Sequence, residues 1–183
     1  MPSHSNAKLE KVIGAAIALT ILGAPLAFSS ALNAAFALPE AVFFRVMTSL
    51  IVALLLIYAL RTKRFPSLHD FFFSGIGIAF LIFFAVQLLA VIFSIAPAIS
   101  TFGNYFRQQG LLTQAHYFIF VLVLIVSAGL PALRENFRTN LVRVLALSGL
   151  LPALYAIAQR FNFDPFFGEW NIAAFYGRVF GTL

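Results

Sequence analysis

Five stretches of roughly 20 mostly apolar residues, each long enough to cross a bilayer, constrain this chain more than anything else in it. They run over 12–32, 41–60, 71–93, 113–133 and 140–158. A backbone N–H or C=O in hydrocarbon finds no water, so a segment that spans must satisfy its own polar groups, and a helix does so. The fold class expected is therefore all-α: a polytopic transmembrane helix bundle of about five spans, making a single transmembrane domain of residues 1–183. Composition agrees, because 62% of the residues are hydrophobic and 10% are charged, whereas a soluble domain is about 25% charged.

The breaks between these stretches are polar or carry Pro and Gly: 33–40, 61–70, an outer loop at 94–112, 134–139, and an outer tail at 159–183. They are too short for another folded domain. The first stretch has a second reading, because Lys8 and Lys11, an apolar run and the small residues around Ala34, Ala35 and Ala37 also describe a cleavable signal peptide. Its apolar run is longer than a signal sequence usually needs. Cleavage would leave the later topology unchanged.

Lysine and arginine concentrate in cytoplasmic loops, and that bias sets the orientation. With the N-terminus inside, the inner segments hold Lys8, Lys11, Arg61, Lys63, Arg64, Arg134, Arg138 and Arg143, eight of the twelve basic residues. An odd number of spans then leaves the C-terminus outside. The formal charge of +6 is explained by this topology, and nothing points to nucleic acid. Cysteine is absent, which excludes disulfides and thiolate chemistry. No metal site is expected either, since His4, His69 and His116 lie far apart with no ligand spacing. Walker, nucleophile-elbow, HExxH and dinucleotide motifs are missing, and no cofactor is expected.

Four arginines depart from the inside bias: Arg45, Arg107, Arg160 and Arg178. A cation at the outer surface or within a span calls for a compensating partner, and an anionic ligand is one. Arg45 follows Glu40 in the second span, so snorkelling or an ion pair with that glutamate is the alternative. In the outer loop, Arg107 with Tyr105 has the chemistry to hold a phosphate, guanidinium giving a bidentate contact and the phenol one more; an interfacial Tyr/Arg anchor is the alternative. His116 reads as a satisfied polar residue before it reads as a catalytic base. Asp164 and Glu169 flank a Pro/Gly-containing segment with no geometry for paired acid and base work.

Three strings occur together: FGNYFRQQG at 102–110, ALYAIAQRFNFDP at 153–165 and GRVFGTL at 177–183. In that order they resemble the N-terminal half of bacterial O-antigen ligase and O-antigen polymerase proteins, where a Gly-x-Tyr-x-Arg-x-x-Gly loop precedes a Gln-Arg segment and a Gly-Arg-x-x-Gly-Thr stretch. The resemblance implies a polytopic glycosyltransferase of the bacterial cytoplasmic membrane. Such a protein moves a glycan from an undecaprenyl-diphosphate carrier to a lipid, glycan or protein acceptor on the outer face.

By motif position the resemblance makes Arg107 and Arg178 the first candidates for contact with the diphosphate or glycan, with Tyr105, Arg160 and Arg45 behind them. It also implies that the catalytic histidine and further spans lie beyond Leu183, so that residues 1–183 read as an inactive N-terminal part. Two other classes stay open: a transporter or flippase segment, and a structural subunit. A transporter would be expected to carry polar groups near mid-membrane, where Gln87 stands by itself. A structural subunit would tolerate loss of the outer arginines.

Overall fold

A computed structural model describes residues 4–29, 37–63, 68–104 and 108–161. These residues are helical with short connections, and five helices are long and apolar enough to cross a membrane. The chain is a multi-pass, all-α membrane protein. The helices are α1 (His4–Gly23), α2 (Ala37–Thr62), α3 (His69–Phe72), α4 (Gly75–Ile92), α5 (Pro97–Phe102), α6 (Leu111–Ala128) and α7 (Phe137–Arg160), with a 3-10 turn at Ala24–Leu26.

Helix boundaries depart from the hydropathy reading for local reasons. Among the described residues the first span covers Asn6–Leu26, starting before the expected 12 and ending where Pro25 occupies the start of the 3-10 turn and has no N–H to continue an α-helix; residues 30–32 of the expected 12–32 lie outside the described residues. Residues 27–29 are already non-helical. The third span begins at Gly75 and not at 71. There the chain breaks after α3, and the Ser74 hydroxyl caps α4 by accepting a bond from the Gly77 N–H at 3.1 Å. The fourth span stops at Ala128, five residues before the expected 133. Pro131 disfavours helix at the residue before it, and 129–136 turns back instead, with Leu133 N and Arg134 N both bonding Leu130 O at 3.0 Å.

Consecutive spans alternate in direction. One end of the bundle gathers the start of α1, the end of α2, the start of α4 and the 129–136 turn; the other gathers the end of α1, the starts of α2 and α6, α5 and the end of α7. Side by side the spans run in the order α7, α1, α2, α6, α4. The core sits between α1, α2 and α6 around Ile13, Ile17, Ile51, Phe120, Val123 and Leu130, with Phe44 set edge-on to Phe120 at 5.2 Å. The flanking helices α4 and α7 bury 6% and 0% of their spans. Their apolar faces are left for lipid or for further helices.

The first end is locked by a buried carboxylate. Glu10, with no exposed surface, accepts a hydrogen bond from the Tyr58 hydroxyl at 2.8 Å and one from the Ala132 N–H at 2.5 Å. One side chain of α1 thereby joins the last turns of α2 to the α6–α7 connection. Each of its oxygens has a donor, as a buried acid requires. Leu133 also packs over Gly14, where a Cβ would meet its Cδ2 at 2.8 Å.

Candidate anion-binding site at the Arg45 end

Arg45 lies two turns into α2, about 12 Å from the helix start at 1.5 Å per residue, and only part of its surface is exposed. A guanidinium at that depth needs acceptors. The structure supplies them from across the bundle: Arg45 Nη2 donates to the Thr113 hydroxyl on the first turn of α6 and to the Gln108 carbonyl at 3.3 Å. Thr113 in turn donates to the same carbonyl at 2.5 Å. Arginine, threonine and carbonyl thus form a closed triangle that ties α2, α6 and the 103–110 loop together.

The expected alternative of an ion pair with Glu40 is not what the guanidinium does. Among the described residues Arg45 makes no salt bridge to Glu40. Its Nε, however, is buried with no hydrogen-bond partner among the described residues, and so is the hydroxyl of Thr48, three positions further along α2. Positions three apart lie on the same side of a helix. Orphaned donors of this kind are uncommon in native structures and cost free energy when buried.

The loop itself is closed by its glycines. Gly103 adopts φ +86°, ψ 167°, a region open essentially to glycine alone, and a Cβ there would meet the Gln108 carbonyl carbon at 2.7 Å. At Gly110 a Cβ would come within 2.5 Å of the Thr101 carbonyl oxygen and the Phe102 carbonyl carbon. Two backbones therefore touch where the loop begins and ends. Inside the loop, Gln108 N bonds Asn104 O at 2.9 Å, and Gln108 takes φ +51°, a left-handed turn unusual for a non-glycine residue.

Of the candidates named from the sequence, Arg45 is joined to the loop, and Arg160 closes α7 at this same end, exposed. Tyr105, Arg107 and Arg178 lie outside the described residues. His116 donates through Nδ1 to Leu112 O at 2.7 Å, an ordinary contact along its own helix and no sign of a catalytic base. His69 sits at the opposite end, 3.4 Å from Asp70, with both side chains exposed. Among the described residues no group of three metal-ligating side chains occurs.

Thr113 and the Gln108 carbonyl were not among the sequence candidates. The hydropathy pattern places Thr113 at the start of a span, yet nothing in it pairs position 45 with position 113. No family model matches the chain, and neither a curated protein nor a solved structure matches it.

Proposed function

We propose that this chain is part of a membrane glycosyltransferase of the O-antigen ligase and polymerase type, which takes a glycan from undecaprenyl diphosphate on the outer face of a bacterial cytoplasmic membrane. The observation that carries the reading is the Arg45 triangle: an intramembrane arginine tied to the Gly-x-Tyr-x-Arg-x-x-Gly loop, with its Nε–H buried and unpartnered. A guanidinium with donor capacity to spare beside a glycine-closed loop suits a diphosphate, whose oxygens accept bidentate bonds.

In this reading the end bearing Lys8, Lys11, Arg61 and Arg134 faces the cytoplasm, and the Arg45 end faces out. An acceptor hydroxyl attacks the anomeric carbon, the bond from that carbon to the carrier's diphosphate oxygen breaks, and the hydroxyl proton passes to a base. Arg45, Arg107 and Arg178 stabilise the charge that develops on the departing diphosphate, with Tyr105 and Arg160 contributing to binding.

The test is transfer from an undecaprenyl-diphosphate glycan by the full-length protein in membrane vesicles. Arg107→Ala and Arg178→Ala are expected to abolish transfer while inserting normally, and Arg107→Lys to recover part of it because lysine lacks the fork. Normal transfer by both alanine variants would sink the reading. Transport of the intact carrier across the vesicle without glycan transfer would favour the flippase class.

A further inference from the structure

At the opposite end of the bundle, between α1 and α7, lies a groove of about 540 Å³ whose lining combines Lys11 with Asn136, Asn140 and Arg143. Asn136, the last residue of the 129–136 turn, and Asn140 and Arg143 on α7 recur at i, i+4 and i+7, one face of a helix, and they line the groove beside α1. Arg143 lies inside the stretch long enough to cross the membrane, where an arginine calls for a partner. Among the described residues neither Lys11 nor Arg143 has an ion pair or hydrogen bond, and the two carboxamide side chains are likewise unpaired.

Two acids lie close by in sequence, Glu10 and Glu135, and neither lines the groove or pairs with its cations. Glu10 precedes Lys11, but its carboxylate is buried under Tyr58 and Ala132 and does not line the groove. The rest of the lining is apolar: Gly14 and Ala18 on α1, Leu141 and Val144 on α7. Small residues keep one wall low, and the two cations stand beside it.

We propose that this groove is a binding site for one anionic phospholipid, whose phosphate lies between Lys11 and Arg143 and whose acyl chain runs along Gly14, Ala18 and Val144. Two unpaired cations and two amide donors complement a phosphodiester, and the apolar walls complement a chain. A basic pocket between membrane helices selects anionic headgroups for this reason. A free anion would leave the apolar walls uncovered, and a neutral helix would bury both cations without a partner. The site is independent of the glycosyltransferase reading, which concerns the other end of the bundle.

Native mass spectrometry of the purified full chain tests it, with phosphatidylglycerol and phosphatidylcholine offered at equal concentration in detergent. Each basic residue near a membrane adds about 1 kcal/mol toward anionic lipid, so two predict retention of phosphatidylglycerol over phosphatidylcholine by at least tenfold. Lys11→Gln/Arg143→Gln should bring the ratio near unity, while Arg134→Gln/Arg138→Gln, exposed at the same end outside the groove, should leave it. Ala18→Leu, which fills the groove and touches neither charge, should also lower retention. The proposal fails if phosphatidylcholine is retained equally, if the control pair abolishes the preference as fully as the groove pair, or if Ala18→Leu has no effect. It fails too if excess inorganic phosphate displaces the lipid, since that would mark a pocket for the anion only.

Discussion

Gly103 and Gly110 meet backbone against backbone at the mouth of the loop between α5 and α6, so closely that a methyl on Gly110 would lie 2.5 Å from the Thr101 carbonyl oxygen. The contact cannot yield by a side chain turning aside, because backbone stands on both sides of it. It therefore sets where the loop starts and ends, and with it the direction in which the Gln108 carbonyl points at Arg45.

Gly110→Ala is expected to open this closure. Hydrogen exchange at Gln108 and Thr113 should speed up, and transfer by the full-length protein should fall by an order of magnitude or more. Gly103→Ala carries the added cost of its φ of +86°, on the order of 1–3 kcal/mol. Wild-type exchange in both variants would show that the two backbone segments separate without consequence.

Arg45 and Thr113 should behave as one unit. Removing either breaks its own hydrogen bond to the half-buried Gln108 carbonyl and the bond between the two side chains, about 0.5–1.5 kcal/mol for each. The second removal adds less than the first. A double-mutant cycle of Arg45→Ala and Thr113→Val, read by thermal unfolding in detergent, should give a coupling of about 1–2 kcal/mol. Additive losses would mean that the triangle is geometric only.

The five spans were legible in the sequence because hydropathy over about 20 residues is a local property. The register of the first span was not. It extends back to include Glu10 because that carboxylate has donors from Tyr58 and Ala132, residues 48 and 122 positions away, and no local pattern announces such a pairing. Arg45 stood out as a cation in a span, but its partners could not be read, since a backbone carbonyl leaves no trace in a sequence and Thr113 resembles any threonine at a helix start. The glycines of FGNYFRQQG were visible as a motif; their contact was not.

Glu10→Ala should be the most damaging single change at the Glu10 end. It leaves the Tyr58 hydroxyl and the Ala132 N–H without their carboxylate, about 1–3 kcal/mol for each, and opens a space under the α6–α7 turn. Tyr58→Phe removes the hydroxyl's bond to Glu10 and leaves the Ala132 N–H its acceptor, so it should cost less, about 1–2 kcal/mol. Glu10→Gln keeps an acceptor for one donor and should fall between. Melting temperatures in one detergent would rank the three, and a Glu10→Ala protein as stable as Tyr58→Phe would contradict the clamp.

The absence of cysteine from residues 1–183 makes the proposed orientation directly measurable on this chain, because a single thiol introduced into it has no background from these residues. Glu135→Cys falls in the exposed 129–136 turn and Gln109→Cys in the exposed part of the 103–110 loop, at opposite ends of the bundle. With Lys8, Lys11, Arg61 and Arg134 on the cytoplasmic side, as the positive-inside bias directs, a membrane-impermeant maleimide added to intact cells should label position 109. It should reach position 135 only after the membrane is opened. The reverse pattern would place Arg45 and its loop in the cytoplasm, where no outward-facing lipid diphosphate could reach them, and the glycosyltransferase reading would fall with the orientation. Labelling of both positions in intact cells would instead mean that the two ends are not separated by a bilayer.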